Sequence, residues 1–133
     1  MLYNGLATRY DRSAGALAPA GSRALADDGR PMRMAVLSRT LVALVEPLQQ
    51  RLVLADLARG VRAVRPMTDV VPLAVAAGPL PAHFAPPAGA PTGGAAGPVV
   101  AHVLARGADR DRPGLVVVAV APDGREAGRW AVP

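Results

Sequence analysis

The 133-residue chain contains no cysteine, no lysine and no isoleucine. Without cysteine there is no disulfide framework, thiolate zinc site, iron–sulfur cluster or cysteine nucleophile. Without lysine no P-loop can reach a nucleotide phosphate and no Schiff base can hold pyridoxal phosphate. A biotinyl or lipoyl carrier is excluded for the same reason. Aromatic rings are scarce: Tyr3, Tyr10, Phe84 and Trp130 are the full set. His83 and His102 are the only histidines, and so the only side chains that titrate near neutrality in their ordinary state. No run of about 18 apolar residues occurs, which predicts no membrane span. The segment Met-Leu-Tyr-Asn-Gly-Leu-Ala-Thr-Arg lacks a secretory apolar core, and the expected compartment is the cytoplasm. A start at Met32 would bring a signal-like run forward, but Arg39 interrupts it and Glu46 ends it.

What the chain does contain is equally lopsided. Ala (28), Val (17), Arg (15), Gly (14) and Pro (14) make up about two-thirds of it. These residues have GC-rich codons, which points to a high-GC bacterium or its phage. The formal charge is +5. Residues 33–66 carry six arginines against Glu46 and Asp56, a net of +4, so nearly all the excess lies in one segment.

That segment shows the clearest periodicity. Met34, Leu37, Leu41, Leu44, Val45 and Leu48 recur at spacings of three and four, a stripe about 100° wide on a helix. Pro31 suits a first helical position, and Pro47 predicts a kink. Beyond it Val53, Leu54, Leu57, Val61 and Val64 form a second stripe, with Arg51, Arg59, Arg62 and Arg65 opposite. Gly60 costs such a helix about 1 kcal/mol, and Pro66 ends it.

Residues 1–31 have no sustained period and read as a loose arm, with one helical turn near Ser22–Asp27. Residues 67–84 include an apolar extended stretch, Val70–Val75. The Pro/Gly-rich residues 85–98 read as a linker. Residues 99–132 read as an antiparallel β-meander with strands over Val99–Arg106, Leu115–Ala121 and Glu126–Val132. Pro122-Asp123-Gly124 supplies its second turn. Glu126, Trp130 and Val132 should share a face of the last strand, and Leu115–Ala121 should be covered on both faces. The expected fold is α+β: a kinked helix over about 32–65 on a meander over about 99–132, with 32–133 as one folding unit.

No motif carries catalysis. Gly93-Gly94-Ala95-Ala96-Gly97 is followed by Pro98 rather than by a helix, which makes it a linker and not a phosphate loop. His83 and His102 lack a third ligand at metal spacing. Asp27/Asp28 and Asp109/Asp111 look solvated, the latter alternating with Arg110 and Arg112, so neither pair has the unequal environments of an acid–base dyad. Ser13, Ser22 and Ser38 lie outside any Gly-x-Ser-x-Gly elbow. The expectation is a non-enzyme with no cofactor and no metal. It should work as a small interaction or assembly protein, through a protein partner or self-association, with Leu48 and Leu52 as the candidate apolar interface. The alternative is weakly sequence-specific binding to nucleic acid through Arg51, Arg59, Arg62 and Arg65, whose guanidinium groups could pair with phosphates. A membrane surface is the least expected partner.

Overall fold

The computed structural model describes the backbone of residues 2–3, 6–13, 16–24, 33–84, 98–111 and 114–133, and side chains within 33–60, 63–84, 98–111 and 114–133. Every regular element among these residues is a β-strand. This overturns the kinked helix over 32–65, and with it the α+β class.

The first strands, β1 (Leu2–Tyr3), β2 (Leu6–Ser13) and β3 (Ala16–Ala24), form an antiparallel sheet in the order β1-β2-β3. Residues 2–3, 6–13 and 16–24 of the segment read as an arm are paired backbone, and the rest of it lies outside the described residues. Ser22 to Ala24 are extended, not helical, and the remainder of that expected turn lies outside the described residues.

The segment read as a helix is a four-stranded antiparallel meander. It comprises β4 (Arg33–Val36), β5 (Leu41–Glu46), β6 (Arg51–Asp56) and β7 (Gly60–Pro66), paired in chain order. The physical reason is burial on both faces. Leu41, Ala43, Val45, Leu52 and Leu54 point into the main core, while Val42, Leu44, Val53 and Ala55 are buried on the other face, with Met34 and Leu57 against them. A strand buried on both sides loses its polar alternation and reads as a continuous apolar run. In a run that dense, spacings of three and four arise by chance. The residues taken as defects in a helix are turns. Gln50 N–H bonds to Pro47 O across the β5–β6 turn (3.2 Å). Asp56 Oδ1 accepts from Ala58 N–H (2.9 Å), and Gly60 enters β7 at φ 104°, a conformation that favours glycine.

The second meander comprises β8 (Val70–Pro79), β9 (Val99–Gly107), β10 (Leu115–Val120) and β11 (Glu126–Ala131), again paired in chain order. The three C-terminal strands occupy the segments read as strands, but β8 joins them as a fourth. Pro72 and Pro79 are tolerated there because β8 is an edge strand, with a register shift after Pro72.

The two sheets enclose one core. Ala43, Val45, Leu52 and Leu54 of the first meet Val70, Val103, Val118 and Val120 of the second, with Met67 from the connection between them. Fully burying one such leucine or valine contributes about 1.5–3 kcal/mol relative to leaving it exposed. At one corner β8 runs against β4 and β5. At the other, the β10–β11 turn lies against β7, close enough that a Cβ on Gly124 would sit 3.4 Å from Ala63 Cβ.

A bulge in β11 corrects the face expected for Glu126, and a second bulge lies in β7. Ala119 pairs with Gly128 but Val120 pairs with Glu126, so Ala127 is extra. An extra residue reverses the faces on either side of it. Glu126 therefore does not share a face with Trp130. It turns toward β7, where it meets Arg65. In the first sheet Leu54 pairs with Ala63 and Ala55 with Val61, leaving Arg62 as the extra residue. The expected double coverage of Leu115–Ala121 holds only for its second half: Val118 to Ala121 are buried, while Leu115 is 43% exposed.

Candidate functional site

With no helix, the four-arginine face does not form. Arg51 opens β6 opposite Glu46 at the end of β5, and the two form an ion pair. Glu46 is the one charged side chain buried among the described residues, 6% exposed. Arg65 pairs in register with Leu52, one place from Arg51, so the pleat sends it to the other face of the sheet. There its Nη1 donates to Gly124 O (3.0 Å) and its Nη2 lies 3.7 Å from Glu126 Oε2. Arg59 is exposed in the β6–β7 turn, at the opposite end of the sheet from Arg51 and Arg65. Arg62 supplies the bulge backbone, and its side chain lies outside the described residues. The strands thus distribute the arginines that a helix would have gathered.

The apolar candidates separate as well. Leu52 is fully buried between the sheets and offers no surface. Leu48, at the tip of the β5–β6 turn, is 78% exposed.

Two clusters that sequence reasoning missed are assembled by the fold. The first is ionic. Arg129 of β11 pairs with Asp69, in the β7–β8 connection, and with Glu126 (2.6 Å), which faces Arg65. The hydrogen bond from Arg129 holds the Asp69 carboxyl below its ordinary range, and Arg129 is raised, first by Asp69 and then by Glu126. Two cations and two anions link β7, the β7–β8 connection and β11. The chemistry is that of a clasp.

The second cluster is aromatic and lies on the outer face of the C-terminal sheet. His102, Ala119 and Gly128 form one cross-strand row; Leu104, Val117 and Trp130 form the next. The turn Pro81–Phe84, closed by Phe84 N–H to Pro81 O (3.0 Å), lays Phe84 over Gly128. Phe84 stacks on Trp130 (centroids 5.6 Å, 28°), and His102 meets Trp130 edge-on (5.8 Å). His83 tilts against Phe84 at 4.1 Å. His102 Nε2 is 3.0 Å from Pro79 O, which fixes its ring. The two histidines belong to this ring cluster, and no group of three metal-capable side chains occurs among the described residues. The signal in the sequence was the period of two: His102 with Leu104, and Gly128 with Trp130. It became readable only with the cross-strand register.

Among the described residues no helix is long and apolar enough to cross a membrane. Comparison with protein-family models, curated proteins and solved structures found no match to this chain.

Proposed function

We propose that the protein is a small non-catalytic interaction or assembly protein that works through contact with other protein chains, a second copy of itself included, with the cytoplasm as its expected compartment. The observation that carries this reading is Leu48, 78% exposed at the tip of a two-stranded turn. Turn tips favour Gly, Asn, Asp and Ser, whose backbone or side-chain hydrogen bonding suits the bend. A leucine there contributes little to its own core and gains most when a partner covers it. Val36 (58% exposed) on β4 and Val64 (49%) on β7 are further exposed apolar side chains, one on each edge strand of the same sheet. The nucleic-acid reading finds no comparable support, because Arg51 and Arg65 are paired with Glu46 and Glu126 and point to opposite faces.

Light scattering across a concentration series tests the proposal. Association should strengthen with concentration, and Leu48→Ser should weaken it while leaving the thermal unfolding midpoint nearly unchanged. A monodisperse monomer at every concentration, combined with no partner retained by the immobilised wild-type chain but lost by Leu48→Ser, would sink the reading.

A further inference from the structure

The outer face of the C-terminal sheet is half covered. Phe84 and Leu80 shield the row of His102, Ala119 and Gly128, and the rows beyond it, toward the β9–β10 turn, lie open. Leu104, Val117 and Trp130 are half-buried and Leu115 is 43% exposed. Val132, whose N–H bonds to Leu115 O, is 37% exposed. Arg106 pairs in register with Leu115 and so stands on the same face, exposed. It makes no ion pair with any described residue: Asp69 is held by Arg129, and Asp109 Oδ1 accepts from Asp111 N–H (2.9 Å).

This face offers donors and no acceptor. The indole N–H of Trp130 has no hydrogen-bond partner among the described residues, and no side-chain nitrogen or oxygen there is both buried and unpaired, so it faces water. Indole and guanidinium can only donate. No carboxylate, hydroxyl or side-chain amide lies among Leu104, Arg106, Leu115, Val117, Trp130 and Val132. Tryptophan and arginine over a floor of leucine and valine is the composition that protein interfaces favour. An identical face on a second copy would set donors against donors and cation against cation. A segment with aliphatic side chains and a carboxylate satisfies both needs, and the formal charge of +5 favours the approach of such an acidic partner. Arg106 and Trp130 stand two strands and one row apart. At ~4.8 Å between strands and ~6.8 Å between rows, their Cα atoms are about 12 Å from each other. In an extended segment at ~3.3 Å per residue, the first, third and fifth side chains share one face and span about 13 Å. Segment and face match in length.

We propose that this face binds an extended acidic segment of another protein, with aliphatic side chains over Trp130 and the Leu115–Val117 floor and a carboxylate on Arg106. The proposal rests on the interaction reading but not on Leu48, which lies on the other sheet. Its test uses the only tryptophan in the chain as reporter. The peptide acetyl-Leu-Ser-Leu-Ser-Glu-amide, whose leucines and glutamate share one face when extended, is titrated into the full chain. The Trp130 emission should shift to the blue and saturate at millimolar peptide. Replacing the peptide's glutamate by glutamine should weaken binding about fivefold, as expected for one exposed charge pair. Arg106→Gln should keep the wild-type unfolding midpoint, because the side chain is exposed and unpaired, and should bind both peptides alike at the weaker level. Leu48→Ser should bind them as wild type does. No saturable shift, or a preference for glutamate that survives Arg106→Gln, overturns the proposal. Emission that changes with protein concentration alone also overturns it, since a second copy would then occupy the face. Association lost in Leu48→Ser while the peptide fails to bind the wild-type chain overturns it and leaves the interaction reading standing.

Discussion

Gly128 shows how much a single residue can decide. A Cβ built on it would lie 2.7 Å from the Phe84 ring, nearer than side chains approach, and ring carbons of Phe84 rather than a flexible tip are what it would strike. The absent side chain is thus the seat of the aromatic cluster. Gly128→Ala should displace Phe84 from the sheet and cost about 1–3 kcal/mol, the range for overpacking. Urea unfolding measures the loss. A red shift of Trp130 emission should accompany it, since the stacked ring no longer shields the indole. Unchanged stability with unchanged emission would mean that Phe84 is not held as described. Gln50 illustrates the opposite economy. It adopts φ 47° without being glycine, a costly conformation for a side-chain-bearing residue. The cost is offset by what it ties down: its Nε2 donates to Val70 O (3.2 Å), and its carbonyl accepts from Met67 N–H (2.7 Å). The β5–β6 turn is thereby fastened to the connection that leads into the second sheet. None of this was legible in the residues alone, because neither glycine nor glutamine announces its long-range partner.

At the scale of elements, the strands were legible where turn chemistry was explicit. Ala121-Pro122-Asp123-Gly124 closes through Gly124 N–H to Ala121 O (2.9 Å), with Gly124 at φ 91°, and β10 and β11 flank it as expected. The Asp56–Gly60 turn has the same ingredients, an aspartate that caps and a glycine at positive φ. It fits a helix as well, because Leu57 and Val61 also match a stripe of period 3.6. Local propensity offered two answers, and burial on both faces of the sheet selected the strand. The same burial makes the Glu46–Arg51 cross-strand pair consequential. Glu46 is almost wholly removed from water, and Arg51 is 37% exposed. Arg51→Met should cost about 3 kcal/mol, because it leaves a buried carboxylate without this cation. Glu46→Gln should cost about 1 kcal/mol. The double variant should lose less than the sum, with a coupling of about 1–2 kcal/mol measurable by denaturant titration. Additive losses would show that the pair contributes no mutual stabilisation.

Over the whole molecule, the ionic clasp joins parts far apart in the chain: Arg65 in β7, Asp69 after it, and Glu126 and Arg129 in β11. Inward-turned charges on β11 also discourage pairing of that edge with another chain. Because the folded Asp69 carboxyl is held below its unfolded value of about 3.8, its contribution is complete above that value and is lost as pH falls through the lower, folded one. Asp69 is 59% exposed and Arg129 35%, so the effect is modest, within about 1 kcal/mol. Asp69→Asn should flatten the acid limb of stability below about pH 4, leave stability near neutrality lower by a similar amount, and reduce the sensitivity to salt. Identical acid limbs for the two proteins would remove the clasp from the account of stability.

Composition and turn residues were sufficient for some conclusions. The chain has no thiol or lysine chemistry, its C-terminal third carries β10 and β11 about a Pro-Asp-Gly turn, and a proline-bearing extended segment precedes them. These follow from residue identity and from contacts only a few residues long. The class of residues 33–66, the dispersal of Arg51, Arg59 and Arg65, the burial of Leu52 against the exposure of Leu48, and the gathering of Phe84, His102 and Trp130 depend on which strand lies beside which. An apolar run such as Leu41–Val45 satisfies a helix or a doubly buried strand equally well. Pairing with β4 and β6 and cover on both faces choose between them, and those partners come from elsewhere in the chain. Register then carries the remainder: one extra residue at Ala127 sends Glu126 to the clasp and leaves Trp130 on the open face.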